Sequence, residues 1–363
     1  MLVQLTMILH ICISQTLAKT ANVVFRPDSI SLLKNIYRIF LTKKEEIKYW
    51  FTTIRYKGNF MNIVLLQGGF SPERDISLKS GEAISKALKL LGHDTHIIDP
   101  ACYYIIEDLI VAIRENNPDL VFMGLHGAEG EDGTTQAILK GMNLNFTGSD
   151  NHGSAIAINK YLSASIAKAN GLLIPRQMII REIPKNISAI IDYIKFPMVV
   201  KPNSAGSSVG VYIVDNEEAL TTAIRDASTI DKHILIQQYI KGRELTVSIL
   251  GHDTLPIVEI KPYIGFYDYE NKYTIGKTEY ICPAKLNEKE MEYVKQIAIK
   301  VFFESGCSVY GRVDFIFDEK DFYFLEINTL PGMREESLLP IAAKEAGLDY
   351  ISLIEKIIKI SMG

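Results

Sequence analysis

The chain has 363 residues, 47% of them hydrophobic and 23% charged, with a formal net charge of −4. That length accommodates two or three domains with a core each, and the composition is that of an ordinary globular protein. No basic stripe of the kind that nucleic-acid binding requires is found, which excludes that class of partner.

The first sixty residues stand apart. Leu2 to Ile13 is an apolar run broken by Gln4, Thr6 and His10, shorter than the ~20 apolar residues that span a bilayer. No positively charged segment precedes it, so a signal peptide is disfavoured although Ala18 lies downstream. Residues 34–57 are basic and aromatic without a motif, and no membrane partner is expected. Met61 opens a clean strand, Met61-Asn-Ile-Val-Leu-Leu66. The expectation is that Met61 is the working start, with residues 1–60 an extension.

From there strands and helices alternate, the mark of α/β architecture. After the first strand and a glycine turn, Ser77 to Leu91 reads as a helix with Leu78, Ile84, Leu88 and Leu91 on one side. Thr95–Ile98 reads as a strand, Tyr104–Arg114 as a helix, Leu120–Met123 as a strand and Thr134–Lys140 as a helix. This unit, residues 61–154, is expected to be an open parallel sheet with helices on its faces. A second unit, 155–241, begins with a helix carrying Lys160 and continues with strands Met198–Lys201, Val211–Val214 and Ile234–Gln237. The third, 242–363, is strand-rich: Glu244–Leu250, Leu255–Ile260, Arg312–Phe317 and Phe322–Ile327, then helices Leu338–Ala346 and Tyr350–Ile360. The four cysteines, Cys12, Cys102, Cys282 and Cys307, are scattered and lack metal-ligand spacing. They read as packing residues of a protein in a reducing compartment.

Four constellations carry chemistry. In Gly311-Arg-Val-Asp-Phe315 and Phe324-Leu-Glu-Ile-Asn328, strand alternation puts Glu326 and Asn328 on one face, with Asp314 on the expected hairpin partner. Three hard oxygen ligands then converge, a set suited to Mg²⁺ completed by water and phosphate oxygens. The bland alternative is an exposed sheet face, but Asp and Asn are poor strand formers and the flanking phenylalanines mark a core sheet. Second, Val199-Val-Lys201-Pro-Asn-Ser-Ala-Gly206-Ser-Ser208-Val-Gly210 delivers a lysine into a loop of small residues, whose N–H groups can approach phosphate. It matches neither the Walker nor the dinucleotide fingerprint. Third, Leu125-His126-Gly-Ala-Glu-Gly130-Glu-Asp-Gly133 follows a parallel strand, where open sheets bind ligands; His126 there is either a ligand contact or a hydrogen-bonded scaffold residue. Fourth, Gly68-Gly69-Phe-Ser71-Pro-Glu73 lacks a third glycine, and Glu73 suits a substrate ammonium better than a phosphate.

In this order the motifs resemble those of the D-alanine–D-alanine ligases of the ATP-grasp superfamily. Further members of the set are Phe266-Tyr-Asp-Tyr-Glu-Asn-Lys272-Tyr273 and Glu326-x-Asn328-Thr-x-Pro-Gly332-Met333. The resemblance covers Met61 to about Met362. It implies a three-domain ATP-grasp fold: a substrate domain (61–154), a central lid domain (155–241) and a catalytic domain (242–363), with ATP between the last two. It implies ATP contacts at Lys160, Lys201, Gln237, Glu244 and Lys272, and two Mg²⁺ ions, with Mn²⁺ as a substitute, on Asp314, Glu326 and Asn328. Glu73 would take the ammonium of the first D-alanine, with Ser207 and Tyr273 closing the 266–277 loop over it. Arg312 and the Gly332 backbone would stabilise an oxyanion. His126, Ser337 and Leu338 would bind substrate, Ser337 taking the second carboxylate. The implied activity is ATP-dependent joining of two D-alanines through D-alanyl phosphate, for peptidoglycan precursors, by a cytoplasmic homodimer.

The sequence departs from the family pattern at two places. Gln237-Gln238 replaces Glu-Lys, and Arg334, followed by Glu335-Glu336, replaces a small hydroxyl residue. The two glutamates are expected to face solvent, since acidic groups beside a carboxylate site are unfavourable. Three alternatives remain: a D-lactate or D-serine acceptor, against which the resemblance sets Tyr273 for lactate; an ATP-grasp enzyme for another carboxylate, against which it sets Glu73 and the His126 loop; and an inactive nucleotide-binding homologue, which predicts a lost magnesium ligand or arginine.

Overall fold

The structure, a computed structural model, describes residues 60–263 and 278–363. The expectations for residues 1–59, and for Lys272, Tyr273 and the rest of the 266–277 loop, lie outside the described residues.

The first segment runs β1 (Asn62–Leu66), α1 (Arg74–Leu90), β2 (Asp94–Ile98), α2 (Ile106–Glu115), β3 (Leu120–Met123) and α3 (Thr134–Gly141). Its sheet is parallel, in the order β2-β1-β3. Ile63 to Leu66 and all of β3 are buried, as strands covered on both faces must be, which is why they read as unbroken apolar runs. Helix α1 starts at Arg74, earlier than its apolar periodicity indicates, because the Glu73 carbonyl already accepts from the Ile76 and Ser77 amides. It ends in a Schellman turn: Gly92 has φ +89°, with His93 N–H on Leu88 O and Gly92 N–H on Lys89 O.

Next come α4 (Asn151–Ile158), α5 (Lys160–Ala169), β4 (Gln177–Ile180), α6 (Ser188–Ile194), β5 (Met198–Pro202), β6 (Tyr212–Val214), α7 (Glu217–Ser228) and β7 (Ile234–Gln238). The four strands form an antiparallel sheet in the order β4-β7-β5-β6. One face, with Met198, Val200, Ile234 and Ile236, packs on Leu220, Ala223, Ile224 and Ala227 of α7. The alternate residues Val199, Lys201 and Gln237 line a cavity on the other face.

The last segment holds β8 (Arg243–Leu250), β9 (Asp253–Thr254), β10 (Val258–Pro262), β11 (Thr278–Ile281), α8 (Glu288–Glu304), β12 (Tyr310–Phe317), β13 (Phe322–Asn328), α9 (Leu338–Glu345) and α10 (Tyr350–Ser361). Its sheet has the order β11-β10-β8-β12-β13, with β9 on β8. The strand expected from Leu255 starts at Val258 instead, after Pro256, which has no N–H for a ladder. Leu245, Val247 and Ile249 of β8 and Val313, Phe315 and Phe317 of β12 share a core with Val294, Ala298, Val301 and Phe302 of α8. Period-two alternation therefore turns Glu244, Thr246, Ser248, Arg312 and Asp314 to the opposite face.

A β-bulge interrupts this alternation at one position. Asp314 pairs with Glu326, but Phe315 pairs with Phe324, so Leu325 is an extra residue on β13. Both Leu325 and Glu326 consequently line the cavity, while Phe324 stays fully buried, edge-on to Phe315 at 6.2 Å between ring centroids. Phe324→Ala opens a cavity behind the acidic face and should cost ~3–5 kcal/mol of stability, measured by urea denaturation.

Candidate active site

The second and third sheets face each other across a cavity of about 970 Å³, open to solvent. Lys160, Lys201, Gln237, Glu244, Glu326 and the 205–209 loop line it. Lys160 is the first residue of α5, and its Nζ donates to Ala205 O at 2.7 Å while lying 3.2 Å from Glu326 Oε2. One cation thus ties the small-residue loop of one wall to the acidic strand of the other. Gln237 Nε2 donates to Gln177 Oε1 at 2.9 Å, so the acceptor end of that amide is the end not spent on Gln177. Within the loop, Ser207 and Ser208 have φ of +51° and +57°. Two consecutive left-handed non-glycine residues hold strain of the kind that concentrates at ligand-gripping loops.

The acidic cluster is built by register. Arg312 pairs with Asn328 and Asp314 with Glu326, which puts all four on one sheet face. Asp314 is almost completely buried. Its Oδ1 accepts from Thr246 Oγ1 at 2.5 Å; its Oδ2 accepts from Arg312 Nη2 and from Asn328 Nδ2, both at 2.9 Å. Arg312 Nε also donates to Thr246 Oγ1 at 3.1 Å. Among the described residues no group of three or more His, Cys, Asp or Glu could by itself hold a metal. Two carboxylates and one amide are nevertheless hard oxygen donors, and a half-turn of the Asn328 amide presents its oxygen to the same point. That set fits an ion such as Mg²⁺, which takes one or two protein carboxylates and fills its shell with phosphate and water.

Glu73 sits at the start of α1, yet its side chain makes no capping hydrogen bond. It accepts instead from the Ser207 hydroxyl. A Cβ on Gly206 or Gly127 would meet the same carboxylate, so the two glycines leave room for it on both sides. The preceding loop is held from below. Ser71 Oγ donates to His126 O at 2.7 Å and accepts from Glu73 N–H at 3.0 Å. Gly69 N–H donates to Asp99 Oδ1 at 3.0 Å, and Arg74 bridges Gly69 O and Asp99. Burial opposes ionisation of Asp99, but Arg74 and the amides of Gly69 and Ala101 outweigh it and hold the carboxyl below the usual carboxylate range.

The His126 ring is buried and engaged at both nitrogens: Nε2 with Ser80 Oγ at 2.9 Å and Nδ1 with Leu330 O at 2.9 Å. The structure places its side chain as scaffold between α1 and the loop after β13. Nearby Glu131 has its carboxyl pushed up by burial, an effect that the His126 hydrogen bond opposes and the Glu73 charge reinforces.

In the loop after β13, a Cβ on Gly332 would lie 3.0 Å from Ser337 Oγ. Ser337 precedes α9 without a side-chain capping bond, and Leu338 is the first helical residue. The Ser337 hydroxyl therefore lies close to the Gly332 backbone, at a helix N-terminus, an end suited to a carboxylate. Glu335 and Glu336 are exposed as expected, and Glu336 pairs with Arg334. Among the cysteines, Cys102 is exposed rather than packed; Cys282 is half-buried and Cys307 buried. Burial pushes the Cys282 thiol up to about 11 and the Cys307 thiol up to about 12, so neither is a nucleophile at neutral pH.

Three further residues hold the site without being among those expected from the sequence. Thr246 was legible there, since Glu244, Thr246 and Ser248 are polar at alternate positions of an otherwise apolar strand. Ser80 and Tyr350 had no local signal; both act on Met333 across long sequence separations.

A cleft between two antiparallel sheets, two buried lysines beside a small-residue loop and hard oxygen donors facing it are the construction of an ATP-grasp enzyme. Residues 163–359 match the family model described as D-ala D-ala ligase C-terminus. A D-alanine–D-alanine ligase of Thermotoga sp. strain RQ2 is 42% identical over 304 residues, 82% of this chain and 97% of the relative. The solved D-alanine–D-alanine ligase of Bacillus anthracis matches with a TM-score of 0.75 at 34% identity, over 83% of this chain and 97% of that one. Its structure complexed with ATP matches with a TM-score of 0.74 at 31% identity and the same coverage. The chain belongs to the D-alanine–D-alanine ligase family.

Because the folded state depresses the Asp99 pKa, its pairing contributes stability above the unfolded value, near 3.8, and loses it as pH falls through the folded value. Asp99→Asn should therefore lower the melting temperature at neutral pH, with the deficit shrinking as the pH is taken below that of the free carboxyl.

Proposed function

We propose that this chain joins two D-alanine molecules into D-alanyl-D-alanine, converting ATP to ADP and phosphate, as a step in making peptidoglycan precursors. The observation that carries this reading is the Glu73–Ser207 hydrogen bond. A carboxylate able to receive an amino acid's ammonium is tied directly to the loop that lines the nucleotide cleft, which sets the substrate's own carboxylate beside the phosphate to be transferred.

A carboxylate is a poor electrophile, so its oxygen first attacks the γ-phosphorus of ATP, giving D-alanyl phosphate and ADP. Lys160 and Lys201 offset the charge of the moving phosphoryl group. Asp314, Glu326 and Asn328 would hold Mg²⁺, or Mn²⁺ in its place, which when bound supplies further charge neutralisation at the phosphates. Gln237 and Glu244 would hold the adenine and ribose. Ser337 and the α9 amide at Leu338 would receive the second D-alanine's carboxylate, so that its free amine attacks the acyl carbon. Arg312 and the Gly332 N–H would stabilise the tetrahedral oxyanion until phosphate departs. His126 would serve the site through the loops it joins, and Lys272 and Tyr273 would complete the lid that keeps water from the acyl phosphate. A cytoplasmic location and a homodimer belong to the same reading. Among the described residues no helix is long and apolar enough to cross a membrane.

The test incubates the full chain with Mg-ATP and D-alanine, D-lactate, D-serine or L-alanine separately. Phosphate release is followed and the product is identified by mass. D-alanyl-D-alanine formed with D-alanine is the expected result; phosphate release with none of the four would sink the assignment. Two variants sharpen it. Arg312→Ala should lower kcat by ~10²–10³-fold, the usual effect of losing one oxyanion donor. Asp314→Asn should abolish turnover with an unchanged circular dichroism spectrum, and retained activity would remove Asp314 from the metal set.

A further inference from the structure

Helix α1 carries more than Glu73. Glu73, Ser77 and Ser80 follow at helical spacing, so they lie along one side, and both serines are fully buried. Ser77 Oγ donates to Gly124 O at 2.7 Å and accepts from Gly68 N–H at 2.8 Å. It thereby fixes the loop that leads to Glu73.

Ser80 reaches the opposite side of the site. Its Oγ lies 2.9 Å from His126 Nε2 and accepts from Met333 N–H at 3.3 Å. His126 Nδ1 faces the Leu330 carbonyl, which can only accept, so in the neutral ring Nδ1 carries the proton and Nε2 accepts from the Ser80 hydroxyl. Every hydrogen of the chain is then assigned: Met333 N–H to Ser80 Oγ, Ser80 O–H to His126 Nε2, His126 Nδ1–H to Leu330 O. A third arm comes from α10, where Tyr350 O–H donates to Met333 O at 2.6 Å. Burial pushes the Tyr350 pKa up, which keeps it a donor at neutral pH.

These bonds act on three of four successive peptide units. The Leu330–Pro331 unit is held through its carbonyl, the Gly332–Met333 unit through its N–H, and the Met333–Arg334 unit through its carbonyl. Between them lies the Pro331–Gly332 unit, which carries the Gly332 N–H. The Pro331 ring restricts φ on its near side, so the direction of that N–H follows from the clamps on either flank.

We propose that Ser80 is a positioning residue for the second half-reaction, aiming the Gly332 N–H at the oxyanion by fixing both His126 and the Gly332–Met333 peptide. The proposal rests on the reading of Gly332 as an oxyanion donor. It predicts a division between the two chemical steps. Acyl phosphate formation depends on the cleft lysines and Glu73, which Ser80 does not contact; attack by the amine depends on the Gly332 N–H, which Ser80 orients. A merely structural serine would affect both steps together.

The test compares the full-length enzyme with Ser80→Ala, Tyr350→Phe, and a semisynthetic form carrying glycolic acid at position 332, which replaces that N–H by an ester oxygen. Two readouts are taken with D-alanine present. One is phosphate released against dipeptide formed. The other is scrambling of ¹⁸O between bridging and non-bridging positions of ATP, which reports reversible acyl phosphate formation. For Ser80→Ala the expected result is a dipeptide rate lowered about 10-fold, short of the ~10²–10³-fold that outright loss of a donor costs. Phosphate should appear in excess of dipeptide, with scrambling retained. Tyr350→Phe should show the same uncoupling to a smaller degree, and it decides the matter if Ser80→Ala does not fold. Scrambling and dipeptide falling in parallel, or neither falling, would overturn the proposal. If the ester form keeps phosphate and dipeptide matched, the oxyanion reading of Gly332 fails and takes the proposal with it. Uncoupling by the ester form but by neither side-chain variant would overturn the positioning role alone.

Discussion

Asp314 and Glu326 stand directly opposite each other on adjacent strands, and two like charges in that position repel. The arrangement persists because each is matched with a cation: Arg312 on Asp314 at 2.9 Å and Lys160 on Glu326 at 3.2 Å. Much of the site follows from those two pairings. Arg312 is brought to the acidic face by the same alternation that buries Val313 and Phe315. Lys160 draws the Ala205 carbonyl, and with it the strained Ser207–Ser208 turn, toward the third sheet. Ser207 then reaches Glu73 of the first segment. Through these bonds the carboxylates of the third sheet are linked to the small-residue loop and to Glu73.

The sheets supply precision through their two-residue period, and α1 supplies it through its length. Glu73 stands at its N-terminus, Ser77 secures the glycine loop, and Ser80 secures the segment after β13. Because the helix is one rigid element, the Glu73 carboxylate and the segment after β13 keep a fixed spacing. The bulge at Leu325 is the corresponding device in the third sheet. It lets β13 present two consecutive residues to the cleft and still bury Phe324 and Ile327.

Much of this was legible in the sequence. β3 is bounded by Asp119 and Gly124 and is apolar throughout, so its limits agree with the structure to the residue. The ligand face of β12 and β13 followed from alternation, because Arg, Asp and Asn interrupt strands rich in phenylalanine. Other features carried no such contrast. All four residues of β4 are half-buried, which blurs the pattern. The bulge defeats alternation, which by itself sends Leu325 to the core. The start of α1 depends on the Glu73 carbonyl rather than on apolar spacing. Ser80 and Tyr350 act only through contacts that folding creates. His126 illustrates the division: its motif marked the right loop, but only the structure shows the ring committed at both nitrogens to protein groups.

The proposed function requires that the Asp314–Glu326 pair be completed by a divalent ion arriving with the nucleotide. Manganese binding followed by electron paramagnetic resonance tests it, with the full chain and a non-hydrolysable ATP analogue. Wild-type protein with nucleotide should quench the free Mn²⁺ signal stoichiometrically, whereas Glu326→Gln should bind the nucleotide but leave most Mn²⁺ in solution. Equal Mn²⁺ uptake by the two proteins would contradict it.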